Sequence, residues 1–195
     1  MKQSTRKVAL LLIVALMTMI MAACGNSENE AQSGADEEGL KIAIVTSLSG
    51  VDDGNFNEDN YNGILSFIEN NPTATVTAIK EESGDPAAAV QAVSDIVADY
   101  DVIVTPGFQF AGVSSIAVEN PDKTFILIDA EPTAIGEQTT FDNIYAMTFA
   151  EQEGGFFAGM AAALETKSNK VAVVNGIAYP SNVNYQFGFE SGVNY

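Results

Sequence analysis

The side chains able to do chemistry in this chain are few and unevenly placed. Cys24 is its only cysteine. It follows Val8 to Ala23, a run apolar except for Thr18, and that run follows Lys2, Arg6 and Lys7. A basic start, an apolar stretch and small residues before the cut make a secretory signal. The cysteine turns it into a lipoprotein signal, because cleavage before Cys24 leaves the thiol at the new N-terminus, where it takes lipid. An ordinary signal peptide or an uncleaved anchor is the competing reading, although the run is short for a membrane span. Asp52, Asp53 and Asp129 are carboxylates which, if clustered, would bind a metal ion or work on a glycosidic bond. Loops that carry polar and aromatic groups suit binding without breaking bonds. Histidine is absent, which removes the commonest general base and the commonest metal ligand. Neither G-x-x-x-x-G-K-[ST] nor G-x-G-x-x-G occurs, so nucleotide hydrolysis and dinucleotide binding have no support.

Most of these residues fall in loops of an alternating strand and helix pattern that starts at Leu40. Lys41 to Thr46 is a short β-branched run that ends in the loop signal Ser47-Leu48-Ser49-Gly50. Asn57 to Asn71 predicts a helix capped by Asn57, with Tyr61, Ile64, Leu65 and Ile68 on one face and Pro72 ending it. Ala74 to Ile79 predicts a strand. Asp85-Pro86 caps a helix whose buried stripe is Val90, Val93, Val97 and Tyr100. Asp101 to Thr105 predicts a third strand, Phe110 to Asn120 a short helix, and Thr124 to Ile128 a fourth strand leading into Asp129. Asn143 to Thr148 (strand), Glu151 to Thr166 (a glycine- and alanine-rich helix able to pack closely), Lys170 to Val174 (strand) and a helix from near Ser181 complete the series. Apolar strands that alternate with amphipathic helices imply right-handed crossovers and a parallel sheet with both faces covered. Ligands of such sheets sit outside the carboxyl ends of the strands. That rule selects four loops, Ser47 to Phe56, Glu81 to Asp85, Pro106 to Phe110, and Asp129 to Pro132.

Composition bounds the rest. The formal charge of the 195-residue chain is -18. Residues 1–23 carry three basic and no acidic side chains, so the chain from Cys24 onward carries -21. Such a surface repels nucleic acid and anionic headgroups, and membrane attachment falls to the lipid. With no cysteine beyond Cys24, disulfides cannot hold the fold. Gly25 to Gly39 is polar, acidic and aperiodic, and reads as a flexible tether. The organisation expected is a signal peptide at 1–23, a tether at 24–39, a first lobe at 40–150, and the start of a second, incomplete lobe at 151–195.

Several stretches carry a resemblance. Val51-Asp52-Asp53-Gly54-Asn55-Phe56-Asn57 after a KIAIVT strand resembles the D-D-x-x-F-N signature of the basic membrane protein family, nucleoside-binding lipoproteins of ABC transporters. Gly107-Phe108 after DVIVTP resembles that family's third strand and loop. Thr148 to Gly159 resembles its T-F-x-x-x-E-G-x-F-x-x-G block. Lys170 to Gly192, with Gly176, Pro180, Phe187, Gly188, Phe189 and Gly192, resembles a further block, except that Asn175 replaces the first glycine of a G-G pair. The likeness runs from Leu40 to Tyr195.

It implies a type I periplasmic-binding-protein-like α/β fold of two lobes, the second cut short here, that closes on a purine nucleoside without catalysis or cofactor and hands it to permease subunits. By that likeness Phe56 stacks on the base, Asn57 and Asp53 hydrogen-bond its polar edges, and Phe108 and Asp129 line the same cleft. Asp52, Gly107, Gly176 and Phe187 are further candidates, Phe187 as a second wall of a sandwich or as core. Phe56 also suits a hydrophobic staple on the first helical turn, and Glu151 and Glu153 suit a helix N-terminus. A sugar-binding lipoprotein of the same fold, or a sensing or adhesive surface lipoprotein, remains the alternative.

Overall fold

The computed structural model describes residues 39–195. The signal peptide, Cys24 and nearly all of the tether lie outside the described residues.

Five strands form one parallel sheet. They are β1 (Lys41–Ser47), β2 (Thr75–Glu81), β3 (Val102–Pro106), β4 (Thr124–Ile128) and β5 (Ile144–Met147). Their spatial order is β2-β1-β3-β4-β5, and Ile44 pairs with Ala78 on one side and Val104 on the other. Helices α1 (Phe56–Asn70), α2 (Pro86–Ile96) and α3 (Ser114–Glu119) connect the first four strands. Helix α1 covers one face, where Ile64 packs with Ile42, Ile44, Val104 and Ile128. The opposite face takes α2 and the segment around α3, with Val93, Phe110, Val113 and Ala117 against Val45, Ile103, Phe125 and Leu127. The continuous apolar strands follow from this double coverage.

Local chemistry explains most boundaries. Asp85 caps α2, accepting from the N–H groups of Ala87 (2.9 Å) and Ala88 (3.1 Å), with Pro86 at the first helical position. Such a cap contributes about 1 kcal/mol. Three expectations change. The predicted helix over 110–120 is a 3-10 segment, Phe108–Val113, that runs into the short α3. Leu65 is exposed, leaving Tyr61, Ile64 and Ile68 as the packed stripe of α1. Lys170 to Val174 belongs to no strand. A strand is stabilised by ladder bonds to a neighbour, and none of the described strands pairs with it.

The last two helices, α4 (Glu151–Glu165) and α5 (Pro180–Asn194), pack on each other. Glycines spaced four apart form the contact. A Cβ on Gly155 or Gly159 would lie 2.1 Å from the carbonyl oxygen of Tyr185 or Phe189. One on Gly188 or Gly192 would lie 2.0 or 1.9 Å from that of Gln152 or Phe156. Residues four apart lie on one helix face, and both series advance together, so the helices run parallel with backbones touching. The expected close packing of the glycine-rich helix is what the structure has.

Candidate ligand site

The strand order reverses between β1 and β3, so the rule for open parallel sheets places a ligand crevice beyond their carboxyl ends. Two loops meet there. Gln109 Nε2 donates to Ser47 Oγ (2.9 Å) and to the Pro106 carbonyl (3.1 Å), and so bridges the ends of the two strands. Gly107 makes that fold-back available. Its φ of +108° lies in the region L side chains avoid, and a Cβ there would meet the Gln109 carboxamide at 2.6–3.0 Å. At the end of β1 the Thr46 hydroxyl is buried without a hydrogen-bond partner among the described residues.

The loop from β1 into α1 is held by its own side chains. Asp53 Oδ1 accepts from the N–H groups of Asn55 (3.0 Å) and Glu58 (3.1 Å), and its Oδ2 from that of Asn57 (3.2 Å). Glu58 Oε2 accepts in return from the Gly54 N–H (2.8 Å), where φ is +67°. Desolvation pushes the Asp53 carboxyl up, but the amides of Glu58, Asn55 and Asn57 and the Asn57 side chain together bring it below the ordinary carboxylate value. Asn57 is therefore not the helix cap. Asn55 holds that position, and Asn57 lies inside the first turn, 7% exposed, donating through Nδ2 to the Ser49 carbonyl (3.1 Å). Phe56 is the first helical residue and is 37% exposed. A staple uses a residue outside the cap, so the staple geometry is absent. Asp52 stands exposed beside Gly50.

Asp129 follows β4 directly, in the left-handed region at φ +59°, and its N–H donates to the Met147 carbonyl (2.8 Å). No described residue hydrogen-bonds its half-buried carboxylate. Desolvation, and next the Glu151 charge, push its pKa up. Asp129 lines an opening of about 220 Å³ with Glu131, Phe149, Glu151, Tyr179 and Asn184. Tyr179 connects this opening to the third strand loop, its ring 4.5 Å from that of Phe108 at 38°. Burial, then the charges of Asp129 and Glu131, raise the Tyr179 hydroxyl. An adjoining opening is lined by Asp129, Glu151, Asn175, Gly176 and Ser181.

The predicted residues thus form two groups. Asp53, Phe56 and Asn57 share the loop before α1. Phe108, Asp129 and Gly176 gather around Tyr179 and Glu151. Phe187 joins neither group. It is 62% exposed and lines an apolar groove between α4 and α5 with Phe156 and Phe157, so neither the sandwich nor the core role fits it here. Asp52, Asp53 and Asp129 do not converge either, since among the described residues no three acidic, histidine or cysteine side chains are placed to hold a metal ion. Sequence reasoning passed over Gln109 and Tyr179. Their partners lie 62 and 71 positions away in the chain, and no local pattern announces such contacts.

Comparison with known proteins decides the lineage. The family model described as Bmp, ABC transporter substrate-binding protein PnrA-like, matches residues 39–195. The chain belongs to the Bmp family. Among curated relatives, this Bmp chain is 28% identical to a CD4+ T-cell-stimulating antigen of Listeria innocua, over 99% of its own length and 54% of the relative's. It is 26% identical to an ABC transporter nucleoside-binding protein, BmpA, of Lactococcus lactis, over 96% and 52%. A solute-binding protein of an ABC transporter system from Aeropyrum pernix has the same fold, with a TM-score of 0.64, 24% identity, and coverage of 80% of this chain and 43% of that one. The Bmp chain spans about half the length of the curated relatives it matches.

Proposed function

We propose that this Bmp chain carries the first-lobe half of an extracytoplasmic, lipid-anchored binding protein that captures a nucleoside, a purine nucleoside in particular, for the permease of an ABC transporter. It binds and does not catalyse. The observation that carries this reading is Asp129, a carboxylate without a hydrogen-bond partner among the described residues, at a strand's carboxyl end and in one opening with Tyr179, whose ring packs on Phe108. A carboxylate accepts from two ribose hydroxyls, and a ring face takes a base. Phe56, exposed at the start of α1, is the second ring, and Asn57 is the amide that follows it. Family membership and the nucleoside-binding relative from Lactococcus support the choice of ligand. Three carboxylates around the opening, Asp129, Glu131 and Glu151, disfavour phosphorylated nucleotides.

Calorimetry with guanosine, adenosine, inosine, ribose and guanosine monophosphate tests this, on the chain and on a two-lobed form completed with a family member's remaining sequence. The completed form is expected to bind at least one nucleoside, with ribose and the monophosphate far weaker. Phe56→Ala is expected to weaken binding by about 1–3 kcal/mol, the scale of one base-aromatic stack. Ribose binding without nucleoside binding would assign the site to sugars.

A further inference from the structure

The carboxylate of Asp53 belongs to the loop, not to the ligand. We infer that Asp53 is a positioning residue which, with Glu58, fixes Phe56 for stacking and makes no contact with the ligand itself. This rests on the nucleoside-binding reading above.

Three backbone amides converge on Asp53, those of Asn55, Asn57 and Glu58, at 3.0–3.2 Å. They flank Phe56 on both sides, and two of them are among the unpaired donors at the start of a helix. The return bond from the Gly54 N–H to Glu58 closes the turn at the one residue in it with a positive φ. The arrangement works as a capping box displaced outward, with an acidic side chain two positions before the cap doing what a cap residue ordinarily does. Asn55, which holds the cap position, makes no capping bond with its side chain. A carboxylate offers about four acceptor directions. Backbone amides use three of them, and with the Asn57 side chain they bring the carboxyl below the ordinary carboxylate value despite desolvation. Asn57 is engaged in part, since its Nδ2 donates to the Ser49 carbonyl. Beyond these engaged groups the loop leaves exposed the Phe56 ring and the side chains of Asp52 and Asn55. Direct recognition of ligand hydroxyls or amines passes to Asp129, whose carboxylate is not so engaged.

A positioning group and a contact group fail differently. Asp53→Ala is expected to weaken binding by about fivefold to tenfold, and by the same factor for guanosine, adenosine, and their 2′- and 3′-deoxy forms. In a Phe56→Ala background it should change affinity by less than about twofold, because the ring it positions is gone. Glu58→Ala should give the same ligand-independent pattern with a smaller loss, and Asp53→Asn, which keeps one acceptor oxygen, should recover part of it. A loss that differs by about tenfold between ligands that differ in one hydroxyl or exocyclic group would overturn the inference in favour of direct contact. So would full additivity with Phe56→Ala, or no loss at all. If the unsubstituted protein binds none of these ligands, the nucleoside reading fails and the question passes to hydrogen exchange. Faster exchange at Asn55, Asn57 and Glu58 in Asp53→Ala, with the amides of β4 unchanged, would retain Asp53 as the organiser of Phe56. Unchanged exchange would overturn that too.

Discussion

Asp53 and Asp129 are the same residue type in two loops of one sheet, and their surroundings drive them in opposite directions. Asp53 is held low by amides, so its contribution to stability is present above its unfolded pKa and fades as pH falls through the lower folded value. Asp129 is held high by desolvation and by Glu151, so the folded state binds its proton more readily than the unfolded chain does. Its charge opposes folding at neutral pH, and that opposition is relieved as pH falls through the raised folded value. Asp129→Asn should therefore raise the thermal midpoint at pH 7, with the gain shrinking toward pH 4, while nucleoside binding is lost. A lower midpoint at pH 7 would mean that Asp129 is tied into the fold. The strand-end rule found Asp129 from the sequence because a residue just after an apolar run needs only its own position to be recognised. The same rule selected the loop that holds Asp53, and the family resemblance added Asn57, but neither could apportion their atoms. That depends on the turn at Gly54, which brings amides two to five positions away onto one carboxylate. Tyr179 was invisible for a different reason, since its partner Phe108 lies in another part of the chain.

Elements with internal cause were legible, and elements that need a partner were not. The helix behind Asp85-Pro86 is specified by its own cap and stripe, and the strands up to β4 by apolar runs that find neighbours in the same sheet. The segment 170–174 has the same composition and no neighbour, so the β-branched run alone does not make a strand. The α4–α5 contact lies between these cases. Its glycine spacing is local, while the parallel direction and the backbone touching emerge only when both helices are present. Gly159→Ala or Gly192→Ala must push the helices apart, at a cost of about 1–3 kcal/mol for overpacking, and should speed hydrogen exchange in both helices together. Gly63→Ala, on the open side of α1 with no atom within 4 Å of the added Cβ, should be neutral or stabilising. Equal effects at the two kinds of site would refute the backbone contact.

At the scale of the whole molecule, the charge and the proposed lipid anchor act in opposite directions at a membrane. A chain with 26 acidic and eight basic residues is repelled by anionic membranes, so Cys24→Ala should release it from the membrane fraction. Continued co-fractionation as a cleaved, lipid-labelled species would disprove the lipid site. The stretch between α4 and α5 has a consequence of a more practical kind. Beyond the N-terminal region the tryptic sites are Lys41, Lys80, Lys123, Lys167 and Lys170. The first two lie in paired strands and Lys123 in the tight turn before β4, whereas Lys167 and Lys170 are exposed in a stretch with no ladder to protect them. Protease under native conditions should nick there first. The released piece, Val171 to Tyr195, carries α5 and its two contact glycines, so it should remain bound to the larger fragment through gel filtration and come away only in denaturant. Two peptides eluting as one particle would show that the join between these helices is made by surfaces in contact and not by the chain that connects them.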